Sequence, residues 1–138
     1  MEKRFYIDTS IWRDYFEDRT DGIRPLGMFA FRFLNKCLRE GQTIIVSEVV
    51  EGELLRYFSK ERVEEVFLHF GKVIEKISRT KEQDAEAHLL FNNYQRRFPL
   101  ADILHAVMAR DEESLLVSRD KHFVELGLAE VAMPEDLC

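Results

Sequence analysis

FYIDTSIW, residues 5–12, is the stretch on which the fold turns. Phe5, Tyr6 and Ile7 form an apolar run that ends at Asp8. Thr9-Ser10 follows, and then Ile11-Trp12. A buried strand that ends in a carboxylate and passes straight into a helix has this pattern. In open α/β sheets, ligands bind beyond the carboxyl ends of the strands, where Asp8 would stand. Asp, Ser and Thr are also good helix caps, so on this stretch alone Asp8 reads equally as an N-cap and as a ligand.

Outward from that strand, about residues 4–8, the chain alternates strands with helices. A first helix is expected from Thr9 to about Asp18, followed by the polar loop DRTDGIRP with Gly22 and Pro25. Leu26 to Glu40 has helical periodicity, a core stripe of Phe29/Ala30, Phe33/Leu34 and Cys37/Leu38, and a stop at Gly41. Met28 and Phe31 lie off that stripe, and this second apolar face reads as a second contact inside the domain or, in preference, as a partner-binding surface. TIIVS (43–47) is a strand apolar through its middle, and Ser47 can cap the helix EVVEGELLRYF. A charged helix over 60–70 ends at Gly71, and KVIEKIS (72–78) is the third strand.

Thr80 and Gln83 have capping-box spacing for a helix through Arg97, with Ala87, Leu90/Phe91, Tyr94 and Phe98 as its apolar stripe and Pro99 as its breaker. LADILHAVMARDE (100–112) is a further helix, SLLVS (114–118) the fourth strand and DKHFVELG a short helix, with AEVAM as a last strand. Strands separated by helices, with apolar middles and no Asn-Gly hairpin signal, predict a parallel sheet of four to five strands covered on both faces. That is a doubly wound, three-layer α/β/α fold.

A length of 138 residues predicts one domain over 1–138, and 46% hydrophobic with 33% charged residues fits an ordinary globular protein. No apolar run approaches the roughly 20 residues that span a bilayer. The basic start, MEKRFYIDTS, lacks an apolar core and a small-residue cleavage site, so no signal peptide is expected. Two cysteines, Cys37 and Cys138, make no disulfide framework, which predicts a reduced, cytoplasmic setting. A net charge of −6 counts against a nucleic-acid partner, because phosphate binding leaves a basic footprint. A carboxylate site reverses that argument locally once it holds a cation.

Four acids fall in related places. Asp8 ends the first strand, and Asp120 follows the fourth through VSRD, so parallel strands put both at one sheet edge. Asp102 sits in the first turn of a helix that leads down into the fourth strand, where an acid also suits the helix dipole. Glu53 falls beside Val49/Val50 and Tyr57 on the apolar side of its helix, while Glu48 and Glu51 fall on a more solvated arc. A carboxylate so placed costs several kcal/mol unless it is paired or bound to metal, and a salt bridge competes with the metal explanation. Carboxylates without His or Cys partners suit Mg²⁺ or Mn²⁺ better than zinc. Such an ion activates water and neutralises a phosphodiester in transfer. Ser10 and Ser118 are placed to orient carboxylates or a water. His105 and His122 are expected at the surface or behind the ligands. There is no Gly-rich phosphate loop and no G-x-S-x-G elbow.

FYIDTSIW, IIVSEVVEGELLRY, PLADILHAVMA and LLVSRDKHF, in this order and spacing, resemble the PIN-domain ribonucleases, and within them the toxins of VapBC-type toxin–antitoxin pairs. The resemblance covers essentially the whole chain. It implies that Asp8, Glu53, Asp102 and Asp120 form a metal-binding acidic pocket of a Mg²⁺- or Mn²⁺-dependent endoribonuclease. It also implies a homodimer and a small antitoxin over the active site. Ser118 stands where the family often has Thr and keeps the hydroxyl. Arg97 (with Arg96), Arg119 and Lys121 are candidate RNA contacts flanking the pocket. The alternative is a PIN-like module that binds protein or RNA without catalysis. A phosphatase with Asp8 as nucleophile fits less well, since Ser10 occupies the place of its second acid.

Overall fold

The computed structural model describes residues 3–138. Met1 and Glu2, with which MEKRFYIDTS and the expected 1–138 domain range begin, lie outside that span. Among the described residues the order is β1 (Arg4–Ile7), α1 (Thr9–Glu17), α2 (Leu26–Glu40), β2 (Thr43–Ser47), α3 (Glu48–Leu54), α4 (Lys60–His69), β3 (Ile74–Ile77), α5 (Lys81–Asn93), α6 (Leu100–Asp111), β4 (Leu115–Val117), α7 (Lys121–Leu126) and β5 (Val131–Ala132), closed by a 3-10 turn at Pro134–Asp136. The sheet has five strands in the order β3-β2-β1-β4-β5, and every pairing is parallel. This is the expected α/β/α fold.

β1 is central because Phe5, Tyr6 and Ile7 are apolar on successive positions and are buried on both faces. Phe5 pairs with Ile44 on one side and Leu115 on the other. All strands run one way, so Asp8, Ser47 and Ser118 finish at the same edge. α1 packs on α2 and α3, while α6 packs on α5 and α7. α6 is buried through seven consecutive residues, Ile103 to Ala109, and so has no solvent face along that run.

Local signals set most boundaries. α2 stops where Gly41 takes φ 67° and returns its N–H to the Cys37 carbonyl. The Thr80/Gln83 capping box forms with both of its hydrogen bonds. Two helices are shorter than their periodicity predicts. The 48–58 helix ends at Leu54 and continues as turns, because Tyr57 and Phe58 both bond back to the Leu54 carbonyl. α5 ends at Asn93, not Arg97: Gln95 and Arg96 take φ values of 54° and 62°, and Arg96 N–H closes the helix on Phe91 O. That reversal returns Phe98 to the core before Pro99. Met28 and Phe31 remain exposed on α2, as their phase predicted. Among the described residues no helix is long and apolar enough to cross a membrane.

Candidate metal centre

Asp8 stands at the N-cap position of α1, yet its side chain caps nothing. Oδ2 instead accepts hydrogen bonds from Ser10 Oγ (2.7 Å) and Ser118 Oγ (2.9 Å). Ser118 Oγ also accepts the Asp120 N–H at 3.0 Å, so one hydroxyl ties the end of β1 to the turn after β4. Asp120 caps α7 by accepting the His122 N–H on Oδ1 at 2.9 Å.

Pro99 starts α6 and places Asp102 in its first turn. Asp102 Oδ2 lies 3.2 Å from Nδ1 of His122, and that nitrogen is 3.5 Å from Asp120 Oδ1. Asp102, Asp120 and His122 each offer a ligand atom, and these atoms lie within 4.8 Å of one another. His122, expected at the surface or behind the ligands, thus stands at ligand distance from two of the acids. Asp8 and Glu53 stand outside that trio, though the charge of Asp8 is felt at Asp102. Burial pushes the Asp102 carboxyl above its usual range, and the charges of Asp120 and Asp8 add to the rise against the pull of His122.

Glu53 reaches in from α3, half-buried. Oε1 accepts from Thr9 Oγ1 and from His105 Nε2, each at 2.7 Å. Burial alone would raise its carboxyl, but the hydrogen bond and charge of His105, the Thr9 hydroxyl and the charge of Arg56 together hold it below the usual range. Its predicted neighbour Tyr57 is 55% exposed and lies under the Arg13 guanidinium, 3.7 Å from ring centroid to Cζ.

Behind Glu53 runs a buried polar chain. His105 is 1% exposed. Its Nδ1 pairs with Tyr6 Oη at 2.7 Å, and Tyr6 Oη pairs with Ser47 Oγ at 2.7 Å. Ser47 Oγ in turn accepts the Val50 N–H as the cap of α3. A carboxylate only accepts, so Nε2 of His105 carries its hydrogen toward Glu53 whether the ring is neutral or charged. With a neutral ring, Tyr6 donates to Nδ1 and Ser47 donates to Tyr6. Burial lowers the imidazole pKa, but Glu53, Asp8 and Asp102 outweigh it and the net direction is up.

Sequence reasoning missed Tyr6 and Thr9 and did not place His105 in this chain. The available signal was ILHAVMA, residues 103–109, apolar on every side but for one histidine that must find a partner.

Each of the four acids has one engaged oxygen and one that is not. Asp8 Oδ1, Glu53 Oε2, Asp102 Oδ1 and Asp120 Oδ2 accept no hydrogen bond among the described residues. The basic candidates fare differently. Arg119 is turned to Glu135 (2.6 Å) and the buried Asp14 (3.5 Å). Arg97 is exposed and pairs with Glu125 at 2.7 Å. Arg96, also exposed, lies over the Phe91 ring. Lys121 is exposed at the start of α7 and has no ion-pair partner among the described residues.

The sequence matches the PIN domain family over residues 5–128. No curated protein matches it. Among solved structures the chain is similar to VapBC2 from Rickettsia felis bound to a promoter DNA fragment, at 17% identity and TM-score 0.70, covering 94% of this chain and 98% of that one. It is similar to the sarcin–ricin loop cleaving toxin VapC20 of Mycobacterium tuberculosis, at 20% identity and TM-score 0.64, over 92% of this chain and 98% of that one. VapBC-1 from nontypeable Haemophilus influenzae shares the fold at 10% identity and TM-score 0.67, over 95% and 98% of the two chains.

Proposed function

The chain belongs to the PIN domain family, and from that premise we propose that it is a Mg²⁺- or Mn²⁺-dependent endoribonuclease. It acts as one domain over residues 1–138 and serves as the toxin of a toxin–antitoxin pair in the cytoplasm. The observation that carries the reading is the set of four carboxylates, each pinned through one oxygen with the other left open.

The donor set fits a hard divalent cation. Open carboxylate oxygens, with waters filling the remaining positions, are what Mg²⁺ and Mn²⁺ accept. Burial first, and then the like charges of Asp120 and Asp8, raise the Asp102 carboxyl, and a cation would relieve both. Asp8, Asp102, Asp120 and Glu53 are the holders, with His122 beside Asp102 and Asp120. A divalent ion so held supplies charge neutralisation at a phosphodiester and a more acidic water.

The chain's own residues do the rest by orientation. Ser10 and Ser118 fix the Asp8 rotamer and leave Oδ1 open. Thr9 and the His105–Tyr6–Ser47 chain fix Glu53 and leave Oε2 open. Lys121, exposed beside Asp120, is the basic candidate best placed to meet a phosphate. Arg97 is available at the rim once it leaves Glu125. Arg119 serves the fold, since its contacts are Asp14 and Glu135.

An RNA substrate is supported by the name of the Mycobacterium tuberculosis toxin, which cleaves the sarcin–ricin loop. An antitoxin partner is supported by the two VapBC structures. A groove of about 430 Å³ beside Met28, Phe31, Tyr15 and Val66 offers an apolar surface for that partner or for a second copy in a homodimer. The test is direct: the purified protein binds Mn²⁺ and cuts RNA, and Asp8→Asn and Asp102→Asn abolish the cutting. If both variants cut RNA as the wild type does, the reading fails. If nothing cuts, the binding-module alternative takes its place.

A further inference from the structure

Gly52 has no evident reason to be glycine. It lies inside α3, where glycine destabilises a helix relative to alanine. Its φ is not positive, and a Cβ built on it meets no atom within 4 Å. Neither backbone strain nor close packing within the chain requires the missing side chain. What the glycine leaves open is space.

That space is a cavity of about 340 Å³ that has Glu53, one of the four acids, among its lining residues. Its walls are apolar, from Val49 on α3 and Leu100 and Leu104 on α6. Its rim is basic. Arg79 is occupied, bonding Glu48 through its backbone N–H at 2.9 Å and so offsetting the one extra acid in the lining. Arg56 is not occupied: its guanidinium makes no hydrogen bond or ion pair among the described residues, although its charge is felt at Glu53. An apolar slot, a bare helix backbone and a free guanidinium match a flat base joined to a phosphate. They suit a peptide strand less well, since α3 offers it no unpaired sheet edge.

We propose that this cavity is a nucleotide subsite. A base of single-stranded RNA lies against Val49, Leu100 and Leu104 over the Cα of Gly52. Its phosphate meets Arg56, adjacent to the phosphodiester presented to the acids. The inference rests on the endoribonuclease reading above and adds to it the side from which the strand enters.

The test measures fluorescence anisotropy of a fluorescein-labelled single-stranded RNA of mixed sequence with Mg²⁺ present. The Asp102→Asn background is used so that RNA is bound and not cut. Gly52→Leu, which fills the cavity, and Arg56→Ala are each expected to raise Kd by about fivefold or more. Gly52→Ala is expected to raise the melting temperature by about 2–5 °C, the sign opposite to that of a packing glycine. Unchanged RNA affinity in both Gly52→Leu and Arg56→Ala overturns the subsite, as does absence of RNA binding in the background protein. A drop in melting temperature for Gly52→Ala overturns it too, because the glycine then serves the fold. So does a result in which the variants keep RNA but release a co-expressed antitoxin.

The wild type separates this failure from failure of the parent reading. Groove-dependent RNA binding without cleavage in Mg²⁺ or Mn²⁺ sinks the nuclease and leaves the subsite standing. Cleavage that Gly52→Leu and Arg56→Ala leave untouched does the reverse.

Discussion

His105 Nε2 lies 2.7 Å from Glu53 Oε1, joining two helices through a ring that solvent barely reaches. The contact fixes which oxygen of Glu53 is spent and which is offered. Groups that orient a metal-binding side chain typically contribute 10–100-fold in metal affinity. His105→Phe keeps the ring volume and removes the donor, so Mn²⁺ affinity is expected to fall about tenfold or more. His105→Gln keeps an N–H near the same place and restores part of the loss. Mn²⁺ titration followed by electron paramagnetic resonance reads both. Equal affinity across the three proteins would make His105 a packing residue only.

Asp102 predicts a trade between stability and activity. Burial and the nearby charges of Asp120 and Asp8 hold its carboxyl up, so the charged form is disfavoured in the metal-free fold. Asp102→Asn removes that repulsion and is expected to stabilise the metal-free protein by about 1 kcal/mol. Wild-type protein gains further stability from added Mg²⁺ by mass action, and the variant loses that response. Thermal melts with and without Mg²⁺ decide the matter. A less stable Asp102→Asn protein in EDTA contradicts the crowding argument.

Arg119 predicts a pH-dependent loss. Burial raises the Glu135 carboxyl, but Arg119 outweighs it and the net value lies below the ordinary 4.5. A lowered carboxylate stabilises the fold above its unfolded pKa and loses that contribution as the pH falls through its folded value. Asp14 goes the other way: burial holds it above its usual range even with Arg119 and Arg19 nearby. Removing Arg119 leaves Asp14 with Arg19 at 3.6 Å and Glu135 with Arg24 at 3.9 Å, both less well paired at neutral pH. Arg119→Met is expected to cost about 3 kcal/mol at pH 7, narrowing as the pH falls and first Asp14, then Glu135, protonates. Urea unfolding across that range measures it. A pH-independent difference, or one confined to RNA affinity, would return Arg119 to the substrate contacts.

Ser118 serves two elements with one hydroxyl, donating to Asp8 and accepting from the Asp120 backbone. Ser118→Ala leaves the buried Asp8 oxygen with Ser10 alone and the Asp120 N–H without its acceptor. The expected cost is about 2 kcal/mol in denaturant unfolding, with weaker Mn²⁺ binding alongside. Ser118→Thr keeps the hydroxyl and is expected to stay near wild type. Equal losses in Ala and Thr would mean that the site tolerates no change in volume and that the bridge is incidental.

Local sequence signals carried most of the fold. TIIVS, the Gly41 stop and the Thr80/Gln83 capping box are decided within a few residues of chain, and each lies where its pattern predicts. α5 was misjudged because its apolar stripe continues through Tyr94 and Phe98, whereas its end depends on the left-handed turn at Gln95 and Arg96, residues with no strong preference for it. The same divide runs through the site. Strand ends and helix phase located the four acids, but they could not show that His105 points at Glu53 or that Arg119 turns back to Asp14. Those directions belong to side-chain rotamers chosen by tertiary neighbours. No periodicity encodes them.

The central place of β1 has a consequence for how the protein is made. Its partners are β2, translated soon after it, and β4, which begins at Leu115. Ser118 and Asp8, joined by a hydrogen bond, are 110 residues apart in the chain. Closing so long a loop comes late, after local helices and neighbouring strands have formed. During synthesis β1 therefore waits, apolar and half-paired, until β4 has left the ribosome. Asp8 meets Ser118 only then, so a chain that stops short of β4 carries Asp8 without the bridge that ties it to the Asp120 turn.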